Sequence, residues 1–471
     1  MEAIGGPSAP GKPMIRGRRG SPSLAALLSF LWPGLGQLYV GKRRWALVFA
    51  VPPLLILVLL AYALRRGLVV FAAQLFADRT VGLATVAILL LLGVWRLASV
   101  VNAFVSGESP KTHRLLNRAV VVALAAVIVV SHLGGGYYLL AYSDAGSQVF
   151  NPGDGDSSLI DEATPGPSLA PGQTPAPTAS PLPTPSSGGR VTILFTGVDS
   201  APSRSEHLYD SIMVVSYDPA TNSVQMVSVP RDSASFPFYF GGVDRATVKI
   251  NSIPTYVRNG WIKSPDTPYM TLVKEVSYLV GVPINYYAVM NLDGFVAMID
   301  KVGGIDVVNP SVIDDPSYDW LNGQKHGFYL AAGPQHLNGK NALAYVRSRH
   351  GADNSDWRRA SRQQQVLVAL LHKMASPAEI LALPGLISTL GSSVTTTFPA
   401  NQVADYVAMG ENVPSKNFSQ VVLGPPYSIT GISTVTASSC LLNAKVAALS
   451  IQLFGQDSLW YGKPAPANTC P

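Results

Sequence analysis

VTILFTGVD (191–199) and SIMVVSYDPATNSVQMVSVP (211–230) decide how this chain folds. The first reads as a buried strand, and the second alternates apolar and polar residues with the period of a strand. Pro219-Ala220-Thr221-Asn222 divides the second stretch and predicts a hairpin between 211–218 and 223–230. Downstream the pattern shifts between two periods. Thr271–Val280 sets Leu272, Val273, Val276, Leu279 and Val280 on one helical face. INYYAVM (284–290) reads as a strand, Asp293–Lys301 as a helix, Gly303-Gly304 as a turn and Ile305–Val307 as a strand. Val366–Met374 carries Leu367, Leu370, Leu371 and Met374 at helical spacing. Such alternation predicts a three-layer α/β/α domain with a mixed central sheet over 191–375. Residues 376–471 read as a C-terminal extension packed on it, with elements at Pro377–Leu390, Phe418–Leu423 and Asn443–Phe454.

Working outward, Ser143–Arg190 contains TPGPSLAPGQTPAPTASPLPTPSSGG, too polar and proline-rich to bury a core, and reads as a linker over 143–190. Before it lie three long apolar runs: Trp45–Leu64, Val81–Val105 (broken only by Arg96) and Ala119–Tyr142. Each is long enough to cross a bilayer, so 45–142 reads as an α-helical transmembrane region of about three helices. Leu24–Tyr39 is shorter and interrupted by Pro33, Gly34 and Gly36, so 1–44 reads as a basic cytoplasmic tail followed by an interfacial or re-entrant hairpin. No cleavable signal peptide is expected.

The chain's 471 residues are 48% hydrophobic and only 13% charged, which excludes a single soluble domain and a wholly disordered chain. Residues 1–142 carry +11 of a net +6, leaving −5 for the rest. The cations Lys12–Arg19, Lys42–Arg44 and Lys111–Arg118 flank apolar runs. The positive-inside rule explains them better than nucleic-acid binding does. It places all three groups in the cytoplasm and everything after residue 142 outside, at the cost of leaving Arg65 and Arg66 there too. Cys440 and Cys470 then share the oxidising side, where a disulfide would persist; whether they pair is open at this point.

The outer part has no G-x-S-x-G, H-E-x-x-H or glycine-rich phosphate loop, so no covalent nucleophile is advertised. Its arginines stand out instead. If Ala344–Arg349 (AYVRSR) is a strand, Arg347 and Arg349 leave one face and invite an anion between them. Two arginines on a solvated edge strand are the plainer alternative. A helix should start near Asp356, capped by Ser355 or Asp356, with Asp356, Arg359 and Gln363 along one face. Arg358 and Arg362 fit a solvated face. Arg347, Arg349, Arg359 and that helix end would together cradle a phosphate or pyrophosphate. Pro230 ends a strand and leaves Arg231 at its tip. Asp199 and Asp210, at neighbouring strand ends, suit a shared Mg²⁺ with phosphate oxygens, although each alone also fits a turn.

Residues 191–375 resemble the LytR-CpsA-Psr family of envelope proteins. The matching pieces are ILFTGVDS (193–200), YDSIMVVSYDP (209–219), VSVPRD (227–232), KIN (249–251), GFVAMIDKVGGIDV (294–307), LNGKNALAYVRSRH (337–350) and DWRRASRQQ (356–364). The resemblance implies a membrane-anchored, Mg²⁺-assisted phosphotransferase. Its donor would be a polyprenyl-pyrophosphate-linked glycan and its acceptor the cell wall, usually peptidoglycan. It implies metal-binding roles for Asp199 and Asp210, and pyrophosphate-binding roles for Arg231, Arg347, Arg349 and Gln363, with Asp356 and Arg359 completing the site. Asp232 is a candidate base for the acceptor hydroxyl. One departure is Leu208, where the family carries arginine; His207 or Arg204 are the candidate substitutes. Leu272/Val276/Leu279 and Val296/Met298/Ile299 are core residues first and candidate walls for the lipid tail second. A polyprenyl-pyrophosphate hydrolase and a non-catalytic lipid-pyrophosphate-binding regulator use the same residues, and both stay open.

Overall fold

The computed structural model describes residues 20–108, 114–150, 181–186, 188–199, 208–242, 248–320, 327–349, 356–374, 393–399, 402, 406, 413–430, 439–467 and 470. The chain divides into two compact units, 1–65 with 83–140, and 66–82 with 141–471.

The N-terminal helices are α1 (Pro22–Leu31), α2 (Leu35–Tyr39), α3 (Arg43–Leu64), α4 (Leu68–Ala77), α5 (Arg79–Ser106) and α6 (Arg114–Phe150). By length and composition three are able to cross a membrane: Arg43–Leu64, Arg79–Ser106 and Arg114–Asp144. α1 and α2 are two helices separated by a short turn. Gly34 lies in that turn at φ 102°, and the buried Gln37 amide ties α2 to α5 through Ser99 O at 2.8 Å. Ser29 Oγ donates to Gln37 Oε1 at 2.9 Å, so a buried polar group among apolar helices is satisfied.

The second unit is built on β1 (Val191–Asp199), β2 (Leu208–Asp218), β3 (Ser223–Ser228), α7 (Ile253–Arg258), α8 (Pro268–Val280), β4 (Tyr286–Asn291) and α9 (Leu292–Lys301). Next come β5 (Ile305–Asn309), β6 (Ile313–Asp315), β7 (Phe328–Leu330), β8 (Gly333–Leu337), α10 (Gly339–Arg347) and α11 (Asp356–Met374). The chain continues with β9 (Val394–Thr396), β10 (Phe418–Val422), β11 (Ser428–Thr430), β12 (Ser439–Leu441) and α12 (Asn443–Phe454). The main sheet runs β10-β3-β2-β1-β4-β9 and is mixed. β1 is antiparallel to β2 and parallel to β4, and β10 is parallel to β3. Its two edges, β9 and β10, come from beyond residue 375, so the sheet incorporates part of what reads in sequence as an extension. β5 pairs with β8 away from the main sheet. The stretch Pro377–Leu390 lies outside the described residues.

Alternation along β1 and β2 sends Leu194, Val198, Ile212 and Val214 to one face, where they meet Leu272, Val276 and Leu279 of α8 and Val446 and Leu449 of α12. Leu272, Val276 and Leu279 are buried in this core, and Met298 and Ile299 of α9 are buried as well, on the opposite side of the sheet. α8 opens on Pro268 and stops at Gly281, whose φ of 77° and contact with the Trp460 indole leave no room for a Cβ. α9, α10 and α11 belong to the other layer: α9 packs on β1 and β4, α11 on β2, β3 and β10, and α10 on α9 and α11. Cys440 and Cys470 form a disulfide.

Candidate active site

Asp199 closes β1 and faces Leu208 across the ladder. The register slips between Gly197 and Val198: Gly197 pairs with Ser211 and Val198 with Tyr209, so the unpaired bulge residue is Asp210. A bulge turns one side chain out of the strict alternation. It brings a second carboxylate to the same strand end, roughly 7 Å of strand from the residue opposite Asp199.

Each carboxylate has a cationic partner. Arg347 Nη2 lies 3.5 Å from Asp199 Oδ2, and Arg231 Nη1 is paired with Asp210 Oδ1. Asp199 is 3% exposed, so its charge needs that partner. Arg231 sits in the turn after β3, where Ser233 N donates to Pro230 O at 3.0 Å. Ile250 N donates to Ser233 O at 2.8 Å and Asn251 N to Arg231 O at 3.3 Å, which docks the 249–251 segment beside the turn. Lys249 Nζ then donates to Asp232 Oδ1 at 2.7 Å, while Arg231 Nε approaches Asp232 Oδ2 at 3.4 Å. Asp210, Arg231, Asp232 and Lys249 thus form one chain of alternating charge.

The stretch Ala344–Arg349 is not a strand. Asn338 caps α10 by accepting from Asn341 N at 2.8 Å, and helix continues to Arg347. Ala342, Leu343, Ala344, Tyr345 and Val346 are buried in succession, because α10 packs on both α9 and α11. The two arginines therefore do not flank a strand position: Arg347 ends the helix and Arg349 follows its cap, Ser348. The Asp315 carboxylate, 1% exposed, fixes this exit. It accepts from Ser348 Oγ at 2.8 Å, Arg349 N at 3.2 Å and Ser317 Oγ at 3.1 Å. Tyr318 hydrogen-bonds Arg347; burial raises its phenol pKa, and the guanidinium opposes that shift.

On α11, Arg359 is buried and Gln363 Nε2 reaches Val346 O at 3.5 Å, next to Arg347. Arg358 is exposed as expected, but Arg362 is not on a solvated face. It is 5% exposed, its guanidinium lies over the Tyr345 ring at 5.4 Å, and Nη2 donates to Ser348 O at 2.9 Å. Burial pushes its pKa down to about 10, which leaves it charged at neutral pH. Asp356 opens α11, and its side chain, like Arg204 and His207, lies outside the described residues. The structure therefore gathers Asp199, Asp210, Arg231, Asp232 and Arg347 at one end of β1 and β2, with Gln363 beside the Arg347 helix end. Arg349 is exposed just after it. Lys249, Asp315 and Arg362 are additions. Lys249 stands in the KIN piece, but nothing in its own neighbourhood marks it as the partner of Asp232.

A family model described as the LytR_cpsA_psr family matches residues 172–444. Among similar proteins is a polyisoprenyl-teichoic acid–peptidoglycan teichoic acid transferase, TagV, of Bacillus subtilis (strain 168). It is 32% identical over 206 residues, 44% of this chain and 49% of that protein. A TagU transferase of Bacillus mycoides (strain KBAB4) is 32% identical over 215 residues, 46% of this chain and 62% of that one. The cell wall biosynthesis protein LcpA of Corynebacterium glutamicum is 27% identical over 278 residues, 55% and 50% of the two chains. The match thus spans about half of TagV and LcpA. The crystal structure of B. subtilis TagV aligns with a TM-score of 0.44 at 24% identity, covering 57% of this chain and 97% of that one.

Proposed function

Because the chain belongs to the LytR_cpsA_psr family, we propose that it is a membrane-anchored phosphotransferase. It moves a glycopolymer from a polyprenyl-pyrophosphate carrier onto the cell wall, peptidoglycan or its equivalent, with Mg²⁺. The observation that carries the reading is the double pairing Arg347–Asp199 and Arg231–Asp210 at one strand end. Two cations and two anions within one small site neutralise each other and can exchange partners. A diphosphate takes the guanidiniums in charge-assisted bonds, and the freed carboxylates suit a hard divalent cation. Among the described residues no three acidic, His or Cys side chains form a metal cage. Two carboxylates completed by phosphate oxygens and water match the way Mg²⁺ is ordinarily held. Asp199 and Asp210 would hold it, and it would supply neutralising charge to the diphosphate.

The chain's own residues then have distinct tasks. Arg231 and Arg347 bind the diphosphate and oppose the negative charge that grows on the leaving lipid phosphate. A wall-sugar hydroxyl attacks the sugar-linked phosphorus. The bond from that phosphorus to the bridging oxygen breaks, and polyprenyl phosphate departs with the electron pair. Asp232 is the candidate acceptor of the hydroxyl proton. Its two oxygens are engaged by Lys249 and Arg231, so it must release one of them first. Asp315 and Arg362 hold the turn that aims Arg347 and Arg349.

The placement of this domain outside the cytoplasm, behind three spans, belongs to the same proposal. The basic flanks of the apolar helices and the Cys440–Cys470 disulfide support it. The test is to incubate the full chain in detergent micelles with Mg²⁺, a lipid-linked glycan and wall fragments. Glycan covalently joined to the wall is the expected product. Free glycan phosphate without linkage identifies a hydrolase, and no turnover identifies a binding protein.

A further inference from the structure

Leu24–Tyr39 and Lys42–Arg44 take no part in the site described above, yet the fold builds a feature from them. The turn between α1 and α2 lies against the first half of α3. Gly34 comes so close that a Cβ there would strike Ala46 O and stand 3.1 Å from Ala50 Cβ. Gly34, Ala46 and Ala50 thereby form the floor of a groove of about 370 Å³. Trp32, Leu38 and Leu47 rise as its walls, and Leu38 and Leu47 are largely exposed. Among the described residues that line it, Arg43 carries the one charge.

Length and charge fit this groove to one leaflet of a bilayer. Arg43 and Ala50 are seven residues apart on α3, about 10 Å along the axis. One leaflet's hydrocarbon is roughly 15 Å deep. The Arg43 end has the residues of a headgroup level: Lys42, Arg43 and Arg44 stand in a row, and Tyr39 and Trp45 beside them are half exposed. From there the groove runs along a helix long and apolar enough to cross a membrane. Lys42 Nζ donates to Ser106 Oγ at 2.8 Å, whereas Arg43 and Arg44 are exposed and have no ion-pair partner among the described residues. Residues 1–65 and 83–140 hold twelve Lys and Arg against two acids, Glu2 and Glu108, so most of the matching anions come from outside this unit.

Resting on the membrane-anchored reading above, we infer that the groove holds one acyl chain of an anionic phospholipid, with the headgroup phosphate on Arg43. The basic cluster selects for a negative headgroup, and the apolar floor and walls take the chain. On the positive-inside reading this is the cytoplasmic leaflet. A polyprenyl carrier suits the groove less well: its chain outruns so short a channel, and its diphosphate has its partners at the β1 and β2 ends. The bound lipid fills the space that three small residues leave between the α1–α2 turn and α3, so it acts as part of the packing.

The test is native mass spectrometry of the full chain in detergent micelles, titrated with phosphatidylglycerol, with phosphatidylcholine of the same acyl chains, and with a polyprenyl phosphate. One phosphatidylglycerol should be retained roughly tenfold more tightly than phosphatidylcholine. Arg43→Gln should erase that preference. Leu47→Trp, which fills the groove from an exposed position, should abolish retention of both phospholipids. Arg65→Gln, at the other end of α3, should change neither. A second reading covers a Leu47 variant that fails to fold: phosphatidylglycerol with brominated chains should quench the fluorescence of the wild type, and that of Trp32→Phe less. Equal affinity for the two phospholipids, a preference that survives Arg43→Gln, or unchanged retention in a folded Leu47→Trp overturns the proposal. Tighter, Arg43-dependent binding of the polyprenyl phosphate overturns the choice of occupant. Turnover plays no part, so a chain that selects phosphatidylglycerol through Arg43 but transfers nothing sinks the proposed function and supports the groove.

Discussion

The Arg347 guanidinium stands 3.5 Å from the carboxylate of Asp199, 148 residues earlier in the chain. It joins the end of a helix to the end of a strand. The partners differ in exposure: the Arg347 side chain is 24% exposed and that of Asp199 only 4%. Removing the arginine therefore takes a cation from a buried carboxylate, whereas neutralising the aspartate leaves a cation that still meets water.

Arg347→Ala should accordingly cost about 2–4 kcal/mol of folding stability, and Asp199→Asn distinctly less. The double variant should regain part of the loss and stay inactive. Thermal unfolding and transfer assays on all three give the comparison. Equal destabilisation by both single changes would show that the pairing with Arg347 contributes nothing particular to the Asp199 site.

Lys249→Met removes the cation that donates to Asp232 Oδ1 at 2.7 Å. Losing one charge-assisted bond of about 1.5–3 kcal/mol in the transition state corresponds to roughly tenfold or more in rate. Turnover should fall by that factor with little change in melting temperature. Steady-state kinetics with wall fragments measures it, and full activity in the variant would remove Lys249 from the site.

Arg362→Met keeps bulk against Tyr345 but leaves Ser348 O without its donor. The expected loss of stability is about 1–3 kcal/mol. Arg362→Lys should recover only part, since the ammonium lacks the planar fork that lies over the ring. Donor affinity should fall with both, because the turn between Arg347 and Arg349 loosens.

The pH profile has a sign that follows from burial. The phenols of Tyr239, Tyr269, Tyr318 and Tyr345 are all pushed up, with burial the largest cause in each. A raised folded pKa gives stability that is whole below the unfolded value, about 10 for tyrosine, and is lost as pH rises through the folded one. Arg362 works the other way. Its pKa, lowered to about 10, penalises folding below that pH and relaxes above it. Four phenols against one guanidinium should leave the unfolding midpoint level from neutral pH to about 9 and falling beyond about 10. Tyr318→Phe should flatten part of that fall. A midpoint that rises there would contradict the assignment.

Cys440 and Cys470 close a loop with a sequence separation of 30. Replacing both by serine should lower stability by about 3–4 kcal/mol on the chain-entropy account. Reductant should reproduce the loss in the wild type and leave the double variant unmoved.

Much of the architecture was legible because its residues report their own surroundings. Leu194, Thr196 and Val198 alternate with half-exposed Ile193, Phe195 and Gly197, and Leu272, Val276 and Leu279 recur at helical spacing, so local pattern and burial agree. α10 was not legible in that way. Five successive buried residues, 342–346, obscure its helical period, and Ala344-Tyr345-Val346 by itself looks as much like a strand. The site was half legible. Strand-end aspartates and the tip arginine, Arg231, follow from where a ladder stops. The bulge that frees Asp210, the Lys249 contact and the burial of Arg362 depend on segments far apart in sequence, and no periodicity announces them. The same holds for β10, whose short apolar run gives no hint that it completes the main sheet.

That last strand governs how the domain can be made. Val224 stands in register opposite Phe418, so β3 stays an open edge until the far end of the polypeptide is available. If the chain is threaded across the bilayer from its N-terminal helices onward, the sheet cannot finish during passage and must assemble afterwards on the far side. Until then the half-built layer is a sticky surface in search of a strand, and a chaperone or rapid delivery of the tail is what would keep neighbouring copies from pairing there.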